Sequence, residues 1–109
     1  MAVQHFHEQL NAGRYEEICR EADEGLTQGG KQQEVGKFLE GVHAKLGDVS
    51  GEHLLSITVN TTTGGTFTVG QYNTTFARGS AVETFTWVRA HGALKLYGYD
   101  IRSNALVVN

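Results

Sequence analysis

The side chains of this chain that could do chemistry are few: five histidines, one cysteine, and scattered carboxylates and tyrosines. His5 and His7 form His-x-His. On a strand the two rings would share a face and could hold one metal ion. On a helix, residues two apart point about 200° away from each other. The metal reading then lapses and His7 becomes a packed helix-face residue. His43 borders an apolar helical stripe, where it either faces a pocket or hydrogen-bonds to a backbone carbonyl. The structural role is the favoured one. Cys19 has the best nucleophile chemistry available, but it sits beside Ile18 and Ala22 on an apolar stripe. A thiol there is expected to be buried and inert.

Asp100 stands out because it follows the aromatic run Tyr97-Gly98-Tyr99. Strand alternation puts Tyr97 and Tyr99 on one face and Asp100 on the other unless Gly98 bulges. The plain alternative is a structural Asp100 paired with Arg89 or Arg102 across strands. The triplets Asn60-Thr61-Thr62 and Asn73-Thr74-Thr75 match the N-glycosylation pattern, but such triplets arise easily in a Thr-rich sheet. Gly64-Gly65 lies between strands rather than before a helix, so it makes no phosphate loop. No Ser-His-Asp order suggests a triad, and no metal or cofactor is expected.

Three helical stripes precede the sheet. Val3, Phe6, His7 and Leu10 have the i, i+3, i+4, i+7 spacing of one helix face. Tyr15, Ile18, Cys19, Ala22 and Leu26 form a second stripe, ended by Gly25 and Thr27-Gln28-Gly29-Gly30. Val35, Phe38, Leu39, Val42 and Leu46 form a third, closed by Lys45 and Gly47. After Gly51 the pattern changes: ten of the eleven threonines lie beyond residue 52, and Thr favours strands. Leu55, Ile57 and Val59 alternate with polar residues. Gly64-Gly65 makes a hairpin turn, and Phe67 and Val69 continue the inward alternation. A phase slip at Gly70 reads as a β-bulge before Tyr72, Thr74 and Phe76. Arg78-Gly79-Ser80 turns into a strand over Ala81 to Ala90. His91-Gly92 turns into a last strand from about Leu94 to Val107, interrupted at Gly98. The expected core is Phe6, Leu10, Ile18, Phe38, Leu39, Val42, Leu55, Ile57, Val69, Phe85 and Trp87. The outer sheet face is expected to carry Ser56, Thr58, Thr68, Thr84 and Thr86. Gly36 and Gly41 are expected to let a strand approach the third helix.

Size and charge limit the function classes. At 109 residues, one domain with one core is expected over 1–109. The net charge of −3 is unevenly spread, −5 over residues 1–52 and +2 over 53–109. Neither half holds a basic run, which argues against binding nucleic acid through its phosphates. There is no run of 18 apolar residues, so no transmembrane segment is expected, and the N-terminus has no signal-peptide pattern. Localisation stays open between a cytoplasmic protein and the mature part of an exported or periplasmic one. Glycine is abundant, at 14 residues, and proline is absent. That fits long ladders that cannot spare an N–H.

Helices followed by a curled four-stranded meander resemble the α+β roll of the cystatin-like and nuclear transport factor 2-like superfamily. Three segments are similar to a bacterial family of uncharacterised domains within it. They are Phe38-Leu39-Glu40-Gly41-Val42-His43-Ala44-Lys45-Leu46-Gly47, Glu83-Thr84-Phe85-Thr86-Trp87, and Leu96-Tyr97-Gly98-Tyr99-Asp100-Ile101-Arg102-Ser103. Leu10-Asn11-Ala12-Gly13-Arg14-Tyr15-Glu16-Glu17-Ile18 fits as well. The resemblance covers nearly the whole chain. It implies the fold, often an exported or lipid-anchored protein, and no known activity. Related rolls include isomerases and dehydratases with an Asp base and a Tyr or His donor in the cone. That implies Asp100, His43 and Tyr97 as catalytic candidates, and His43, Trp87, Tyr72 and Tyr99 as ligand-binding candidates.

With no coherent catalytic set, the leading expectation is a non-enzymatic binding or interaction module that forms a homodimer through the Thr-rich sheet face. The alternatives are an isomerase or dehydratase, or a carrier of a small apolar ligand. Both need a cavity of about 300 Å³ or more between helices and sheet.

Overall fold

The computed structural model describes residues 2–27, 31–90 and 92–103. Among these described residues four helices precede four strands: α1 Ala2–Asn11, α2 Tyr15–Glu21, α3 Glu24–Thr27, α4 Gln32–Leu46, β1 Val49–Thr62, β2 Gly65–Phe76, β3 Gly79–Ala90 and β4 Ala93–Arg102. The strands form one antiparallel sheet in the order β1-β2-β3-β4. The fold class is therefore α+β, with the helices at the N-terminus and an open meander after them. Gln28-Gly29-Gly30, His91 and the stretch 104–107 expected in the last strand lie outside the described residues.

The apolar stripes explain the helices. Val3, Phe6, His7 and Leu10 are buried along α1, and Leu39, Val42 and Leu46 along α4. The second expected stripe is split in two. The backbone is extended at Ala22, and the Asp23 N–H donates to the Leu96 carbonyl at 2.8 Å. The Asp23 carboxylate accepts from the Gly25 N–H at 2.8 Å and starts α3. The other end of the helical layer is held by the β2–β3 turn. Gly47 ends α4 with φ +85°. There Arg78 donates from Nε to the Lys45 carbonyl at 2.8 Å and from Nη2 to the Ala44 carbonyl. A cation thus satisfies carbonyls that the helix end leaves unpaired.

The helix-facing side of the sheet is organised in cross-strand rows. One row is Leu54–Tyr72–Glu83–Ile101, the next is Ile57–Gly70–Phe85–Tyr99, and the third is Val59–Thr68–Trp87–Leu96. Phe85 has no exposed surface. The rings of Phe6, Tyr99, Tyr72 and Trp87 surround it with centroids 5.0, 5.3, 5.8 and 5.9 Å away. These aromatic contacts occupy the space between sheet and helices.

Several expectations change in register. β2 pairs with β3 without a break from Thr66↔Arg89 to Phe76↔Gly79, so Gly70 carries no bulge. Val69 and Phe67 belong to the outer face, and Thr68 to the inner one. Gly70 serves a spatial purpose: a Cβ there would lie 3.1 Å from the Tyr72 ring. The slip is in β1, where pairing passes from Leu54↔Tyr72 to Ser56↔Gln71 and leaves Leu55 as the extra residue. In β4 the pairing passes from Thr86↔Gly98 to Trp87↔Leu96, so the irregularity expected at Gly98 makes Tyr97 the extra residue. The first hairpin closes with Thr62 opposite Gly65, one residue earlier than expected. Gly36 and Gly41 face open space rather than an approaching strand.

Of the expected core, Phe6, Leu10, Ile18, Leu39, Val42 and Phe85 are buried, and Trp87 packs against them partly buried. Phe38, Leu55 and Ile57 are 51%, 51% and 56% exposed. Phe38 flanks the α4 stripe instead of lying on it. Leu55 is pushed out of alternation by the bulge. Ile57 faces the helix side but lies beyond the helices' cover.

Candidate functional site

Two side-chain networks and one surface could carry function. The most buried is centred on Glu83, whose side chain is fully buried on the inner face of β3. Its Oε1 accepts from His7 Nε2 at 2.7 Å and from Thr74 Oγ1 at 2.6 Å, and its Oε2 from the Tyr99 hydroxyl. His7 Nδ1 lies 2.7 Å from Glu52 Oε1. A neutral imidazole has one N–H, so donating to both carboxylates requires the imidazolium. Burial of the ring opposes protonation, but the contacts with Glu83 and then Glu52 outweigh it, and His7 titrates above its usual 6.5. Burial, with the adjacent Glu83 charge, pushes the Tyr99 phenol well above 10. α1 supplies the histidine, and β1, β2, β3 and β4 supply its surroundings. The network ties one helix to every strand.

The second network is nearer the surface. The Tyr15 hydroxyl at the start of α2 lies 2.5 Å from His43 Nδ1, and His43 Nε2 lies 2.6 Å from Asp48 Oδ1. A hydroxyl on an imidazole that is oriented by a carboxylate is an arrangement able to relay a proton. Burial, followed by the charges of Glu40 and Asp48, raises the Tyr15 phenol, so it remains an O–H donor at neutral pH. Tyr15 also lines a groove of about 880 Å³ between α2 and α4. Arg14, Arg20 and Lys37 on its walls are balanced by Glu16, Glu17 and Glu40, so it has no field of one sign to select a charged ligand.

The cone between helices and sheet is packed. Beside it, a cleft of about 110 Å³ is lined by Phe6, Ile18, Trp87, Leu94 and Leu96 among others, well below the roughly 300 Å³ of ordinary ligand sites. Trp87, Tyr72 and Tyr99 are brought together, around the Phe85 ring rather than around a void. His43 is elsewhere, with Tyr15 and Asp48. Asp100 lies opposite Thr84 on the outer face, and its Oδ2 is 3.4 Å from Arg102 Nε. Tyr97, displaced by the bulge, touches Phe67 with centroids 5.2 Å apart and packs so closely on α3 that a Cβ on Gly25 would sit 2.3 Å from its ring. Asp100, His43 and Tyr97 thus occupy three separate places. His5 bonds to the exposed Glu21 at 3.0 Å, apart from His7. Cys19 is buried, its thiol raised by burial and by Glu16.

Glu83 and Glu52 escaped sequence reasoning, although Glu83 had a signal. It alternates with Phe85 and Trp87 on one strand face, and a carboxylate on a buried face requires a partner. His7 on the apolar stripe of α1 is that partner.

The third feature is a surface. On β1, Leu54, Leu55, Ile57 and Val59 are 47%, 51%, 56% and 61% exposed. Leu54, Ile57 and Val59 share the helix-facing side, because they pair with Tyr72, Gly70 and Thr68. The inner face is buried at Tyr72, Thr74, Glu83, Phe85 and Leu96, but this strip of β1 is left open.

Residues 2–99 match the profile of a family described as "Protein of unknown function (DUF4019)". No curated protein and no solved structure matches the chain at a significant level.

Proposed function

The chain belongs to the DUF4019 family, whose description assigns no activity, and from its own geometry we propose that it is a non-enzymatic interaction module working through β1. The observation that carries this reading is the apolar strip Leu54, Leu55, Ile57 and Val59 left open on one strand. Scattered exposed apolar residues are normal, but contiguous ones mark interaction sites. The packed cone favours this reading over an isomerase, a dehydratase or an apolar-ligand carrier acting between helices and sheet, each of which needs a void there. The four-stranded antiparallel meander following N-terminal helices supports assigning the fold to the cystatin-like and nuclear transport factor 2-like rolls.

The test has two parts. Ile57→Lys with Val59→Lys should leave unfolding stability within about 0.5 kcal/mol of wild type, because neither side chain is buried in the single chain. A loss above about 2 kcal/mol would make the strip part of the core and refute the reading. A photo-crosslinking side chain placed at position 57 in producing cells should give a protein adduct that the same group at position 84 does not. No adduct at 57 refutes it equally.

A further inference from the structure

We propose that the occupant of the β1 surface is a second copy of this chain, joined edge to edge by antiparallel pairing of the two β1 strands into one eight-stranded sheet. The inference rests on the reading of β1 given above and adds the identity of the partner and the mode of contact.

The two edges of the sheet are treated differently. The β4 edge is covered, since the Asp23 N–H donates to the Leu96 carbonyl and Tyr97 packs on α3. It also carries Lys95, Asp100 and Arg102, charges of the kind that discourage strand addition. The β1 edge has none of this beyond its first residue. The Asn11 side chain takes both the N–H and the carbonyl of Val49, at 2.8 and 3.0 Å. Among the described hydrogen bonds, none from an element other than its ladder neighbour β2 reaches the backbone of residues 50–62. β1 contains no Lys, Arg or Pro. Its one carboxylate, Glu52, is turned inward to His7.

The partner's chemistry follows. An unpaired ladder of backbone N–H and C=O groups is matched by another extended strand. The bulge at Leu55 confines the regular stretch to Ser56–Thr62. That stretch carries no charge to repel a copy of itself and is symmetric about Val59. A two-fold axis there sets Val59 beside Val59 of the other copy, and Ile57 of each beside Thr61 of the other. Antiparallel continuation keeps the faces of the sheet, so the apolar strips of both copies merge on the helix side. Each copy presents roughly 350 Å² of half-exposed apolar side chain. With seven-residue ladders the contact totals about 1,000 Å² over both copies, at the lower bound for a specific interface. A contact of that size belongs to the weak, transient class of interfaces.

The purified full chain tests this by light scattering between about 5 µM and about 0.5 mM, a range over which a weak contact becomes populated. The expected mass rises towards twice 11.9 kDa at the upper end, and Ile57→Lys with Val59→Lys holds it at the single-chain value throughout. Val59→Cys should form an intermolecular disulfide under mild oxidation, whereas Thr84→Cys should not. Cys19 is buried and does not compete. Wild type remaining a monomer at about 0.5 mM overturns the proposal. So does a dimer that survives the lysine pair and cross-links through position 84, which would place the contact on the Thr-rich face. A monomer whose position-57 adduct contains a different protein overturns the second copy and leaves the interaction reading intact. A monomer with no adduct at all overturns both.

Discussion

Replacing Glu83 by Gln tests the interior of the molecule most directly. The substitution keeps volume and a carbonyl acceptor but removes a charge that is fully buried and receives donors from His7, Thr74 and Tyr99. The new amide can retain part of the geometry, since its NH₂ can donate to the Tyr99 hydroxyl oxygen. What is lost is the charge assistance to three hydrogen bonds and half of the compensation for a buried imidazolium. Removing one member of a buried pair costs about 3–5 kcal/mol when nothing replaces it. With the hydrogen-bonding shape kept, about 2–3 kcal/mol is expected near pH 6. Glu83→Leu, which also strands the Thr74 and Tyr99 hydroxyls, should exceed about 4 kcal/mol. Domain stabilities are about 5–15 kcal/mol, so the leucine variant stands at the edge of folding.

The pH dependence has a definite sign. The folded-state pKa of His7 is raised above the ordinary histidine value of 6.5. The stability it contributes is fully present below about pH 6.5 and is lost as pH rises through the folded value. Over that window wild type should lose stability with rising pH at up to about 1.4 kcal/mol per pH unit. Glu83→Gln removes the partner that raises His7 most and should flatten that slope. Urea unfolding at a series of pH values, with an NMR titration of the His7 ring, measures both quantities. The reasoning fails if His7 titrates below 6.5 in wild type, or if Glu83→Gln unfolds within about 0.5 kcal/mol of wild type at pH 6.

Other substitutions probe separate features. Phe85→Ala should cost about 3–5 kcal/mol in urea unfolding, because the ring is fully buried among five others. Gly25→Ala would set a methyl 2.3 Å from the Tyr97 ring; it should destabilise by about 1–3 kcal/mol, and Tyr97→Ala in the same chain should relieve much of that. Tyr15→Phe should cost only about 1 kcal/mol, a fall of about 4–8 °C in Tm, since the Asp48 end of its relay is 68% exposed. Cys19 should react with a thiol reagent only at the rate of unfolding, because it is buried and its thiolate is disfavoured.

How far the molecule could be read from its sequence depends on which interactions are local. The α1 and α4 stripes, the strand order and the turns near Gly79 and Gly92 were legible, because period and turn chemistry are written in neighbouring residues. The bulge positions were not. Gly70 looked like a slip, yet it is small because the Tyr72 ring lies over it, and the slip belongs to Leu55 on the paired strand. A one-residue change of register reverses every side chain beyond it. The slip read at Gly70 therefore predicts Val69 inside and Thr68 outside, the reverse of their positions. The same limit hid the buried network. His7 and Glu83 are 76 residues apart, and each alone reads as an ordinary polar residue on an apolar face. Only their joint placement on facing elements makes both burials tolerable. Coverage was the least legible property. Leu55, Ile57 and Val59 alternate as a core strand should, yet the bulge takes Leu55 out of that face and brings Leu54 into it, and whether a helix reaches over Leu54, Ile57 and Val59 depends on where α1 and α4 end in space. That shortfall of cover is what turns an apparent core strand into a surface with something to bind.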